Sequence, residues 1–394
     1  MIPVSKPYFD DEDLKIIQEP LKSGWVLQGK YVKEFEDMFC KWTGAKHAVT
    51  VSSGSTALHI AVIAAGIKED DEVIVPGFTW LSTANCVEYV NAKPVFVDID
   101  LRTFNIDVDK IEEKITSKTK AIIPVHQFGL CVNMDKITAI AKKHNLIIIE
   151  DAACAFGSKF KNKHSGTFGE LGCFSFHPRK SITTGEGGMI VTNDEKLAKL
   201  CRSLKDIGAS KSDFQRQKNE EEKKQYSFLL SKYEHLGYNF RMTDIQASLG
   251  TTQMKKAETI VKGKQHLALV YDDLLKDLDW LQLPYKHKDY FHGYQSYAVL
   301  FKPEELTLSN CEKLFDMRNE IMDKLEKKEI TTRQGTHAPP FLDYYKNKYN
   351  YSPKDFPNSY MAEKCSIALP FYYGMSDEDI KTVVSELKSA YNSL

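Results

Sequence analysis

The stretch LIIIEDAACAFGSKFKNKHSGTFGELGCFSFHPRKSITTGEGGMIV (146–191) decides the fold. Three of its segments, LIIIE (146–150), CFSF (173–176) and GMIV (188–191), are β-rich, and several segments of this kind along the chain are continuous apolar runs and not alternating ones. Strands buried on both faces of a mostly parallel sheet read this way. Four similar runs precede it: AVTV (48–51), EVIV (72–75), PVFVDI (94–99) and AIIPV (121–125). Segments with helical, amphipathic spacing lie between them, at 56–65 and 134–144. Strand alternating with helix predicts an α/β fold, a mostly parallel seven-stranded sheet flanked by helices.

Beyond about residue 250 the texture changes. Helical periodicity with Lys/Glu pairs dominates, one strand is expected at 295–301, and the chain closes on a helix at 377–391 capped by Ser376. This predicts a large α/β domain over 1–250, N-terminal segment included, and a smaller α+β domain over 251–394. The charged run QRQKNEEEKKQ (215–225) reads as a solvated loop or helix face, with a flap beside a site as the sharper alternative.

Lys and Arg number 53 against 54 Asp and Glu, so the chain has no basic surplus with which to seek nucleic acid or an anionic membrane. No run of 18 apolar residues exists, and no membrane-spanning helix is expected. The opening MIPVSKPYFDDEDLK has acids where a signal peptide would be apolar. Eight cysteines are scattered without a CxxC pair. They read as reduced thiols of a cytoplasmic protein, not a disulfide frame or zinc site, and no metal is expected.

Ligands of such sheets bind outside the carboxyl ends of the strands. After AVTV comes SSGSTAL (52–58), small hydroxylated residues entering a helix: a phosphate cradle, or simply a helix N-cap. Neither GxGxxG nor GxxxxGK[ST] is present, which disfavours a dinucleotide site or a P-loop. After LIIIE stands Asp151, readable as the N-cap of a following helix or as the partner of a cationic ring nitrogen or a metal. After CFSF comes Lys180, in a turn closed by glycines. A lone lysine is normally a solvated surface charge. Here a lysine able to form a Schiff base, a carboxylate for a pyridine nitrogen and a phosphate cradle follow strands of one sheet. Pyridoxal 5'-phosphate (PLP) needs these three together.

The chain resembles the nucleotide-sugar aminotransferases of the DegT/StrS type, PLP enzymes of fold type I, the aspartate-aminotransferase fold. The resemblance runs through IPVSKP (2–7), SGW (23–25), SSGSTALHIA (52–61), PGFTWLSTAN (76–85), PVFVDID (94–100), IEDAACA (149–155), FSFHPRKSITTGEGGMIVTND (174–194), GYNFRMTDIQASLG (237–250) and ALPFYYGMSDEDI (368–380). It implies that Lys180 holds PLP covalently and then shuttles a proton, with pyridoxamine phosphate as the intermediate form. Asp151 would keep the pyridine nitrogen protonated. Gly54, Ser55 and Thr56, with Ser175, would grip the phosphate. Trp80 would stack on the ring, although core packing would explain it equally. Asn239 would reach the phosphate of a neighbouring subunit, which implies a homodimer with shared active sites. His337, in GTHAPP (335–340), and Glu186 would face the substrate.

Cys154 departs from the family, which often has Gln or His near the ring hydroxyl; a thiol is a weaker hydrogen-bond partner. The segment 210–234 is also longer than the family usually carries, either a loop at the substrate mouth or a surface insertion. Dehydratase members carry His where this chain has Lys180, so transamination is expected. The implied reaction moves an amino group from L-glutamate to a nucleotide-linked keto sugar. C4 of a 4-keto-6-deoxyhexose on dTDP, GDP or UDP is the first expectation. C3 of a 3-keto sugar is the alternative, and a non-catalytic regulatory protein on the same fold is the rival of another class.

Overall fold

The computed structural model describes residues 1–210 and 232–394. Its main sheet has seven strands: β1 (His47–Val51), β2 (Glu72–Pro76), β3 (Lys93–Val97), β4 (Thr119–Ile122), β5 (Ile147–Asp151), β6 (Leu171–Ser175) and β7 (Gly188–Thr192). They lie in the order β1–β7–β6–β5–β4–β2–β3. The pairs β2/β3, β2/β4, β4/β5 and β5/β6 are parallel, and β7 runs antiparallel to both β6 and β1. One antiparallel strand in an otherwise parallel sheet therefore brings the carboxyl ends of β1, β2, β4, β5 and β6 to one edge. The continuous apolar runs are the cause: every residue of β2 and β7 is buried.

Helices α1 (Lys30–Thr43), α2 (Gly54–Ala64), α3 (Ser82–Glu88), α4 (Met134–His144) and α5 (Glu195–Leu204) cover the sheet. The amphipathic expectation for residues 56–65 is corrected. Seven of the eleven residues of α2 are buried, because the helix lies between the sheet and helices α3 and α5. Its entry is a capping box, Ser53 Oγ accepting from Thr56 N–H while the Thr56 hydroxyl accepts from Ser53 N–H.

The chain continues through α6 (Asp244–Lys255) and α7 (Ala257–Leu275) to a second sheet of three antiparallel strands, β8 (Leu281–Gln282), β9 (Tyr297–Phe301) and β10 (Ser366–Leu369). Helices α8 (Cys311–Lys327), α9 (Pro357–Cys365) and α10 (Asp377–Asn392) accompany it, the last capped by Ser376. Residue 250, where the sequence suggested a division, falls within α6. Ile2 forms a parallel bridge with Ile330, and the Val4 carbonyl accepts from Phe371 N–H at 3.0 Å, so the first residues lie against the C-terminal part. The charged run 215–225, and nearly all of the long segment 210–234, lies outside the described residues. Among the described residues no helix is long and apolar enough to cross a membrane, and no group of three or more His, Cys, Asp or Glu is arranged to hold a metal. All eight cysteines are free thiols.

Candidate active site

Asp151 ends β5 with its side chain 4% exposed. No helix follows it, so the N-cap reading is corrected: the next element is the short strand Lys159–Phe160. Its Oδ2 instead accepts from the Thr83 hydroxyl at 2.7 Å, and its Oδ1 from Ala153 N–H at 3.1 Å. The Thr83 hydroxyl has spent its proton on Asp151, so it accepts from the Thr79 hydroxyl, 2.9 Å away. Both threonines are fully buried. Burial pushes the Asp151 carboxyl above its ordinary range, while Thr83, Ala153 and the nearby Lys180 pull it back. Such a carboxylate lacks a cation in direct contact. Sequence reasoning missed Thr83. Its only sequence signal is its place in PGFTWLSTAN, just beyond β2.

The preceding residue, Glu150, anchors this strand end. Its carboxylate accepts from Gly166, Phe168 and Gly169 N–H groups and meets His126 Nε2 at 2.8 Å. Because His126 Nδ1 accepts from Val132 N–H, Nε2 carries the proton and donates to Glu150. The main-chain N–H of His126 donates to the Asp151 carbonyl at 3.1 Å.

Lys180 follows β6 in a turn closed by its N–H on the His177 carbonyl, 2.8 Å. Its Nζ donates to Cys154 Sγ at 3.2 Å. The cradle residues converge as well. A Cβ added at Gly54 would stand 2.7 Å from Ser175 Cβ, and one at Gly188 only 2.2 Å from the Ser53 carbonyl oxygen. Glycine at both positions lets the β1, β6 and β7 ends close together. The Gly54 and Ser55 N–H groups, first in α2, have no acceptor among the described residues. The Ser55 hydroxyl bonds Ser82 at 2.6 Å and so joins α2 to α3. The Thr56 hydroxyl is turned back to the cap, donating to the Ser53 carbonyl at 2.9 Å. An anion at this helix start would meet free donors and the positive end of the helix dipole.

Trp80 is 60% exposed, its ring centroid 5.7 Å from that of His337. Thr79 N–H donates to the His337 carbonyl at 2.9 Å, so the 335–340 segment is stitched to the start of α3. Glu186 has an exposed side chain, and its carbonyl accepts from Thr184 and Gln246. Asn239 is exposed and pairs through its backbone with Asp206, which also holds Arg241 at 2.8 Å. The residues present fit PLP: an amine, a buried carboxylate in want of a cation, and a helix start with unpaired N–H groups share one sheet edge.

A family model of DegT/DnrJ/EryC1/StrS aminotransferases matches residues 7–388. The chain belongs to this aminotransferase family. Among curated proteins this family member is 36% identical over 395 residues to the GDP-perosamine synthase of Escherichia coli O157:H7, covering 99% of each. Among solved structures it is similar to a putative sugar aminotransferase of Streptococcus pneumoniae in its PMP form (TM-score 0.91, 27% identity, 100% of each chain). It is also similar to Helicobacter pylori PseC, an aminotransferase of pseudoaminic acid biosynthesis (TM-score 0.89, 28% identity, 100% of each chain). The seven-stranded architecture expected from the sequence is that of these aminotransferases.

Proposed function

We propose that this aminotransferase binds PLP through Lys180, takes the amino group of L-glutamate and delivers it to C4 of a keto-6-deoxyhexose carried on a nucleoside diphosphate. The observation that carries the reading is that Lys180, its Nζ donating to Cys154, the buried Asp151 and the Gly54–Ser175 cradle all follow strand ends at one edge of the sheet. The relatives' names support a sugar nucleotide as acceptor, and the GDP-perosamine synthases favour GDP among the three nucleotides. Neighbours solved in PLP and PMP forms support the cofactor.

PLP supplies an electron-accepting ring. Asp151 would hold the proton on the ring nitrogen, and its buried carboxylate would gain a cationic partner. The N–H groups of Gly54 and Ser55, with the Ser55 and Ser175 hydroxyls, bind the phosphate. Cys154, which accepts from the Lys180 amine, would stand near the ring hydroxyl. The Lys180 amine would serve as general base and acid for the proton that moves between carbons. Trp80 covers the ring, while His337 and Glu186 contact the sugar. A second copy of the chain completes the phosphate grip through Asn239, giving a homodimer. Residues 1–250 carry the cofactor site and 251–394 the smaller domain. The free thiols support a reducing, cytoplasmic setting.

The test is the absorption spectrum of the protein loaded with PLP. A band near ~420 nm should collapse toward ~330 nm on adding L-glutamate, and a panel of keto-sugar nucleotides should then restore it, best with a 4-keto GDP sugar. Lys180→Ala should lose both band and turnover while keeping the native fold. A variant that still aminates sugar near the wild-type rate, or a wild-type protein with no band, would overturn the assignment.

A further inference from the structure

Both chain neighbours of Lys180 are held from the C-terminal part of the sequence. The Arg179 carbonyl accepts from Gln295 Nε2 at 3.1 Å, and the Ser181 hydroxyl accepts from Lys264 Nζ at 3.2 Å. Lys264 Nζ also donates to the Gln295 carbonyl at 3.1 Å, tying the two anchors into one brace. The brace continues inward: Gln295 N–H donates to the Phe128 carbonyl at 2.9 Å, in the loop whose His126 bonds the Asp151 carbonyl.

Lys264 stands on α7 with 3% of its surface exposed. It forms no ion pair among the described residues, and the Phe371 ring lies 5.3 Å from its Nζ. The charged and titratable groups acting on it are Cys154 and Lys180, and it acts in turn on the buried His292. With Lys180, Arg179, Lys6 and Tyr8 it lines a small open cleft whose wall includes no carboxylate. Burial brings the Lys264 amine down to about 7. A buried lysine without a carboxylate partner is costly, and nothing in the reaction described above uses it.

We propose that Lys264 is a positioning residue for Lys180, fixing the 179–181 turn through Ser181 and Gln295 and placing an amine, not a carboxylate, beside the reacting lysine. This rests on the reading of Lys180 as the lysine that bonds PLP. A carboxylate at that place would stabilise positive charge on Lys180 and make it a poor base; a neighbouring amine does the reverse.

The experiment uses the full-length protein loaded with PLP and the variants Lys264→Met, Lys264→Gln and Gln295→Leu. Borohydride reduction and peptide mapping identify the lysine that carries the cofactor, and a pH titration follows the visible absorbance. Lys264→Met should lose about tenfold in PLP affinity, the worth of roughly one hydrogen bond. Its titration midpoint should rise by ~0.5–1 unit as the like charge is removed. Lys264→Gln, which keeps a donor for Ser181, should hold affinity within about threefold and show the same rise. Gln295→Leu, whose Nε2 bond is at the surface, should lower kcat at unchanged KM for the keto sugar and leave the midpoint where it was. A midpoint unmoved in both Lys264 variants overturns the proposal. If neither variant folds, Gln295→Leu decides, and wild-type kcat and PLP affinity there overturn it. Label on a lysine other than Lys180 in the wild type sinks the reading of Lys180 instead.

Discussion

Thr83→Val isolates the support of Asp151. The substitution keeps the shape of the side chain and removes the hydroxyl that donates to Oδ2 at 2.7 Å. Thr79 loses its acceptor at the same time. A hydrogen bond to a charged group contributes about 1.5–3 kcal/mol. Asp151 is buried, so no water replaces the lost donor, and the carboxyl, already raised by burial, moves further toward its protonated form. A protonated Asp151 cannot hold a proton on the ring nitrogen. The expected loss in PLP affinity is therefore roughly 10- to 150-fold, from the same energy. The assay is PLP titration of protein stripped of cofactor, followed by absorbance, with thermal melting to confirm the fold. Thr83→Ser, which restores the hydroxyl, should recover most of the affinity. Thr83→Val binding PLP within twofold of wild type, while folded, would refute the coupling between this hydroxyl and the cofactor.

Gly54→Ala puts a methyl 2.7 Å from Ser175 Cβ; overpacking of this kind costs about 1–3 kcal/mol, and calorimetry should read it as a lower melting temperature with weakened PLP binding. Mixing Lys180→Ala and Asn239→Ala proteins should regain activity that neither has alone, because hybrid dimers would contain one intact site; activity that stays at the sum of the two parents would remove Asn239 from the partner's site. Stability against urea should report Lys264. Its amine titrates near 7 when folded against an ordinary lysine value of 10.5, so the unfolded chain binds more protons between these values and stability rises with pH across that window. The buried Lys205, brought down to about 8, adds to the same rise, so Lys264→Met should show a shallower slope and not a flat one, and an identical slope in both proteins would show that Lys264 does not contribute.

The sheet was legible because its strands are buried on both faces, which leaves unbroken Val and Ile runs that polar loops interrupt. Asp151 and Lys180 could be singled out because one stands directly after such a run and the other four residues beyond another, where sheet geometry sends ligands. Their supports were not. Thr83 is an ordinary residue in a short helix, and its role exists only because β2 and β5 deliver their ends to one edge with β4 between them. Lys264 lies on a long helix two residues after the exposed Lys262. Only the packing of α7 beneath the 179–181 turn separates it from a solvated charge. The antiparallel direction of β7 also left no trace in composition, since a strand buried on both faces reads alike in either direction.

Thr79 faces two ways. Its hydroxyl feeds the row that ends on Asp151, and its N–H holds the 335–340 segment by the carbonyl of His337. That second attachment is made to main chain, so it places no demand on which side chain stands at 337. The side chain at 337 can therefore be exchanged while Asp151 keeps its donors. For an engineer, the 335–340 segment and the buried row behind Asp151 are separately editable here, joined at a seam that is blind to sequence on one side.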